Sequence, residues 1–169
     1  MLKINAVNKC KEVIQNSIDR YKVRVQELGD SLADNDASND AEDDDGSGEL
    51  MADFERYNNL KDEHEKLKRA FENISYGSGK TVVTEGALVT TDSNMFLISV
   101  SLGELITDEG DKFYAISSNA PIYEAMKNLT ASDSFTFNGM TRKIFKSIKL
   151  KIHHLNLSLK HLSYNLRMV

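Results

Sequence analysis

The chain has 169 residues, 40% of them hydrophobic, with one proline, one cysteine, no tryptophan and a formal net charge of −5 at pH 7. That length suits one globular domain with an extended element, or two small domains. The lone Cys10 excludes an intramolecular disulfide, and no apolar run approaches the ~18 residues that a membrane span requires.

The modest net charge conceals a segregation. From Val25 to Glu55 there are twelve carboxylates and no Lys, Arg or His, so a −12 segment is joined to a +7 remainder. Charge parted in this way points at a cation, a metal ion or a basic surface, although solvated acidic loops are common. The N-terminal MLKINAVNKCKEVI lacks an apolar h-region and a small-residue cleavage site, so no signal peptide is expected. A soluble, cytoplasmic protein without membrane contact follows as the expectation. The Asn-x-Ser/Thr triplets at Asn73, Asn128 and Asn156 are then chance matches. Within a helical apolar pattern, Cys10 reads as a small hydrophobe.

In chain order, the first element reads as a coiled-coil helix. Ile4, Lys11, Ile18, Val25 and Leu32 recur at heptad spacing, with Val7, Ile14, Tyr21 and Leu28 at the interleaved positions. That is an a/d seam with a polar break at Lys11. A second seam carries Leu50, Tyr57, His64 and Phe71, interleaved with Asp53, Leu60, Leu67 and Ile74. Each stripe needs a partner, and the nearer one is the other, so the spacing predicts an antiparallel helical hairpin over residues 1–76. Helices of roughly thirty and twenty-five residues make a rod of ~40 Å. Its expected connection, 33–49, is long for a helical hairpin. Eight carboxylates lie between Asp34 and Glu49, and Gly46 and Gly48 are expected to break any helix, leaving a mobile tip.

After Ile74 the period changes. YGSG (76–79) reads as a hinge. Ala87 to Thr91 and Met95 to Val100 flank the turn Asp92-Ser93-Asn94 as a strand pair, and Phe113 to Ser117 is a further strand. Pro121 opens a short helix, Ile122 to Lys127. Ser134 to Phe137 and Arg142 to Ile148 flank Asn138-Gly139, a strong hairpin signal. The expectation for 77–148 is a small antiparallel sheet with one helix. From Ile148 to Val169, leucines follow a 4-3-4-3-4-3 spacing that competes with a period-two alternation. Leucine-rich composition without turn residues favours helix, so 149–169 is expected to be a basic amphipathic extension. It would lie on an acidic partner, on the hairpin or on another subunit.

Two motifs invite chemistry and fail on spacing. GSGKT (77–81) lacks the first glycine of a P-loop, having Ile74 there, and it stands after a helix and before a strand. DNDASNDAEDDD (34–45) departs from an EF-hand loop at Asn39, Ala41 and Asp45, leaving at most a weak, partly hydrated divalent-ion site. His64 lies on a helical seam, where a packed ring is the commoner role. His154 and His161 are one heptad apart, not at the i, i+4 spacing of a helical zinc site. No catalytic residue and no organic cofactor are expected.

The segment FYAISSNAPIYEAMKNLTASDSFTFNGMTRKI (113–144), placed after a hairpin with an acidic tip, resembles the bacterial Gre transcript-cleavage factors. Ala120-Pro121-Ile122 takes the place of that family's Ser-Pro-Leu, and Ala125 matches its helix alanine. Asn128 stands where glycine is usual, and Ser132-Asp133 stands for Gly-Asp. The resemblance covers residues 1 to about 148 and implies an α+β chain with an FKBP-like second half. It also implies RNA polymerase as partner, with indirect contact to nascent RNA and DNA. The second half would sit at the rim of the polymerase secondary channel, with Ser117, Ser118, Asn119, Pro121 and Ile122 at the contact. The tip carboxylates, here Glu42, Asp43, Asp44, Asp45 and Glu49, would help hold Mg²⁺ shared with the polymerase. The ion activates water for cleavage of backtracked RNA. The chain lacks a clean copy of the family's Asp-x-x-Glu tip motif. Two rival expectations stand beside this one. The tip would block the channel as an inhibitor, or 148–169 would drive self-association.

Overall fold

The computed structural model describes residues 2–37, 47–77 and 82–148. The expectations for residues 38–46, for GSGKT beyond Gly77 and for the tail beyond Ile148 lie outside the described residues. Two long helices, α1 (Leu2–Ala37) and α2 (Ser47–Asn73), open the chain. They run antiparallel: Gln15 accepts from Lys68 Nζ at 2.9 Å, Tyr21 meets His64 edge-on at 4.9 Å, and Gly29 faces the Phe54 ring. The rod is longer than expected, because 36 residues of α1 span about 54 Å.

The helices also intrude on the connection expected over 33–49. α1 continues to Ala37, and Gly48 lies in the first turn of α2 with nothing within 4 Å of where a Cβ would stand. A glycine costs a helix only about 1 kcal/mol. Glu49 in the same turn meets the positive end of the helix dipole, which offsets part of that.

From Ile14 onward the α1 seam follows the heptads: Ile14, Ile18 and Leu28 are buried, and Tyr21, Val25 and Leu32 are half-buried. Its first turns depart from them. Ile4 is 44% exposed and Lys11 is exposed, while Lys3, Ala6 and Cys10 are buried. The reason is a second partner. Near its N-terminus α1 packs on the sheet as well as on α2, which rotates the buried face by one residue.

Six strands follow: β1 (Leu88–Thr91), β2 (Met95–Ser99), β3 (Gly103–Ile106), β4 (Lys112–Ser117), β5 (Ser134–Phe137) and β6 (Met140–Ile148). One helix, α3 (Pro121–Met126), lies between β4 and β5. Their order in the sheet is β3-β4-β2-β1-β6-β5. β2 and β4 are parallel and every other pairing is antiparallel, so the sheet is mixed where an antiparallel one was expected. β3 causes this. It takes the edge, and its hairpin returns β4 between β3 and β2. β3 was not foreseen, because an exposed edge strand of sequence Gly-Glu-Leu-Ile shows no alternation. Ile148, expected to begin the tail heptad, is the last residue of β6.

Cross-strand register separates two cores. Leu88 pairs with Leu97, Leu97 with Ala115, and Leu105 with Phe113, placing these side chains on one face. Ala6, Cys10, Ile14, Ile18 and Phe71 of the hairpin pack on that face. Val89, Phe96, Ile98 and Ile144 lie on the other, with Tyr123 and Met126 of α3 and Phe135 of β5. Burying each large apolar side chain contributes about 1.5–3 kcal/mol. The first core therefore welds the hairpin base to the sheet.

Polar contacts secure the same joint. Lys9 Nζ reaches Asp108 Oδ1 at 3.0 Å across to the β3–β4 turn, and Lys3 Nζ donates to the Tyr76 carbonyl at 2.8 Å. Gly86 has φ +76°, and a Cβ there would stand 2.2 Å from the Ser75 carbonyl oxygen. Only glycine lets the start of the sheet pass so close to the end of the hairpin.

Candidate functional site

Two separated regions carry the residues singled out in the sequence. At the far end of the rod, Glu49 is exposed in the first turn of α2. Glu42, Asp43, Asp44 and Asp45 lie outside the described residues. Among the described residues no three His, Cys, Asp or Glu side chains cluster to hold a metal ion.

The second region lies at the other end of the molecule, where β4 turns into α3. Ser117 closes β4 half-buried, and its carbonyl accepts from the Ala120 N–H at 3.1 Å. Ser118 Oγ donates to Glu85 Oε1 at 3.3 Å, tying the loop to the turn that leads into β1. Asn119 and Pro121 are exposed, and Ile122 is half-buried against the core under α3. The N-cap of α3 is Ala120, with extended backbone and no side-chain cap, so Pro121 sets the helix start by fixing φ at the first helical position. The five residues thus form one continuous edge, with a polar rim and an apolar anchor. The structure joins none of them to the tip.

Between α3 and β5 the backbone adopts the left-handed conformation twice, at Asn128 (φ 65°) and Ser132 (φ 81°). These are the two positions where the resembled pattern carries glycine. Asparagine tolerates that region well and serine less so. The turn is held by Asp133, whose Oδ2 accepts from the Thr130 N–H at 2.7 Å and the Thr130 hydroxyl at 2.8 Å. Those hydrogen bonds, the backbone one foremost, hold the Asp133 carboxyl below its ordinary value. The Ser132 N–H then donates to the Ile144 carbonyl at 2.8 Å, latching the turn onto β6.

Sequence reasoning missed Arg142. It shares the parity of buried Ile144 on β6 and pairs with Phe135, so strand alternation places it on the side facing the second core. That parity was the available signal. His64, read as a packed seam ring, is half-buried, with Nδ1 2.9 Å from the Leu60 carbonyl.

The fold defines an α+β protein in which a long helical hairpin is mounted on one face of a six-stranded mixed sheet. No protein-family model matches the chain. No curated protein matches it. Among solved structures it is similar to GreA factor homolog 1 (Gfh1) of Thermus thermophilus, at 20% identity over 80% of this chain and 91% of that one, with a TM-score of 0.35. A second structure, described as the transcription factor Gfh1, is 20% identical over 85% of this chain and 92% of its own, also with a TM-score of 0.35. No helix among the described residues is long and apolar enough to cross a membrane.

Proposed function

We propose that the chain is a Gre-like elongation regulator that docks on RNA polymerase through the half spanning 77–148 and sends its hairpin into the secondary channel. The observation that carries this reading is the pairing of an antiparallel rod, whose free end carries Asp34 and Glu49, with a sheet-borne turn that is left-handed where the Gre pattern has glycine. The contact edge is Ser117, Ser118, Asn119, Pro121 and Ile122. The rod brings the tip close to the polymerase active centre, and to nascent RNA and DNA there only indirectly.

The donor chemistry of the tip fits a hard divalent ion, because Glu42, Asp43, Asp44, Asp45 and Glu49 offer oxygen ligands alone. These residues would hold Mg²⁺ jointly with the polymerase, and the ion would supply water activation for RNA cleavage. The chain itself is not an enzyme on this reading; it completes the centre of another protein. Such a role places it in the cytoplasm with the polymerase.

Stalled, backtracked elongation complexes test the proposal. Added protein is expected to crosslink at the channel rim and to accelerate cleavage. Replacing Asp43, Asp44 and Asp45 together by Asn should abolish the acceleration while crosslinking persists. Suppressed RNA synthesis that this triple variant relieves would make the tip an inhibitor on the same docking. Absence of any crosslink removes the reading altogether.

A further inference from the structure

At the end of the sheet away from the Ser117–Ile122 edge, the β1–β2 turn and the β5–β6 hairpin frame an open dish. Its volume is about 410 Å³, and Asp92, Ser93, Met140, Thr141 and Arg142 line it. Arg142 Nη1 donates to Ser93 Oγ, and Nη2 lies 4.0 Å from Met140 Sδ. Its Nε is buried without a hydrogen-bond partner. Among the described residues Arg142 has no carboxylate within ion-pair distance, although Asp92 lines the same dish.

That combination is unusual for an arginine. The guanidinium offers five N–H donors in a rigid planar fork, and here one of them reaches an oxygen. Leaving a buried donor unmatched is costly. The group is nonetheless positioned, with Ser93 fixing one side and Met140 the other, so a planar, two-oxygen acceptor would find it already oriented.

We propose that this dish docks a carboxylate side chain from an acidic segment of a protein partner. Arg142 grips the carboxylate through its fork, Ser93 holds the guanidinium in place, and Met140, 55% exposed, covers the apolar stem of the incoming residue. Asp92 sets the selectivity. A carboxylate brings one negative charge beside it, whereas a phosphate brings nearly two, and like charges at close range repel. The proposal does not rest on the polymerase reading, since the dish and the Ser117–Ile122 edge lie at opposite ends of β2 and β4.

The test follows the arginine Nε–H resonances of the full ¹⁵N-labelled chain by NMR. It is titrated with N-acetylated, C-amidated Glu-Leu, with the Gln-Leu counterpart, and with inorganic phosphate. The Glu peptide is expected to shift the Arg142 Nε–H resonance saturably, while the Gln peptide and phosphate leave it in place. Arg142→Gln should abolish the response. Arg142→Lys should weaken it about fivefold or more, since lysine has no fork. Asp92→Asn should tighten it about threefold, in the range of an exposed charge contact. An Nε–H signal unmoved by the Glu peptide overturns the proposal. Equal shifts with the Gln peptide, or tighter binding of phosphate, overturn it as well. Should Arg142→Gln fail to fold, the opposite responses of Arg142→Lys and Asp92→Asn still decide it.

Discussion

The base and the shaft of the hairpin are made of the same two helices, yet they are held by different physics. Up to Ile18, α1 is enclosed on two sides, and Ala6, Cys10, Ile14 and Ile18 are buried between α2 and the sheet. Beyond Ile18, Leu28 is the single buried residue of α1 among those described. The rest of the shaft seam is half-buried: Val25, Leu32 and Leu60 share it with an aromatic and polar cluster. Tyr21 lies 6.3 Å from Tyr57 and 4.9 Å from His64, with Arg20, Arg24 and Arg56 over the tyrosine rings at 4.9–5.7 Å. Such contacts contribute about 0.5–1 kcal/mol each at exposed sites. A helix pair with one partner surface is thus much less stable than the same pair with two, and the lever is firm where it is mounted and soft where it reaches.

The largest expected effect attacks the mount. Gly86→Ala would force a Cβ against the Ser75 carbonyl in a left-handed residue. A loss of about 3 kcal/mol or more is expected, read as a lower denaturant midpoint. An unchanged midpoint would show that the joint yields freely.

Next come two truncations that set base against shaft. Ile14→Ala should cost about 3–4 kcal/mol and lower the stability of sheet and hairpin together. Leu28→Ala should cost about 2 kcal/mol, with faster amide hydrogen exchange confined to the shaft. Equal exchange acceleration in the sheet for both variants would dissolve the distinction.

A smaller gain is expected from Ser132→Gly. It relieves a left-handed serine but adds freedom to the unfolded chain, for a net stabilisation of about 0.5–1 kcal/mol in thermal unfolding.

The smallest effect is a pH dependence. Asp133 is held below its ordinary value of 3.8 by Thr130. Its contribution is therefore complete above that value and disappears as pH falls through the lower folded one. Asp133→Ala should flatten this acid-side slope of the stability curve and leave the rest of the profile in place.

Much of this architecture is legible in the sequence because it is local. The α2 seam from Leu50 to Ile74 and the α1 seam from Ile14 onward follow heptads, and Asn138-Gly139 forms a turn with φ 49° and 76°, as the dipeptide demands. The failures are non-local. Ile4 and Lys11 continue the heptad arithmetic, yet the sheet claims the face carrying Lys3 and Cys10, which no periodicity within α1 encodes. The parallel pairing of β2 with β4 depends on a hairpin folding back between them, and its β3 member has only one strand neighbour to impress a pattern on it. Around Ser117–Ile122, the strand end and the helix start at Pro121 were readable locally. Arg142 was hidden because a charged residue at a core-facing parity looks like a lapse in alternation.

The burial of Cys10 turns the molecule into its own reporter. The chain has one thiol, it is fully buried in the core shared by hairpin and sheet, and that burial pushes its pKa up to about 12. A thiol reagent attacks the thiolate and cannot reach this sulfur while the base is seated. The rate of alkylation of the native protein therefore clocks how often the lever lifts from its mount, with no label introduced anywhere else.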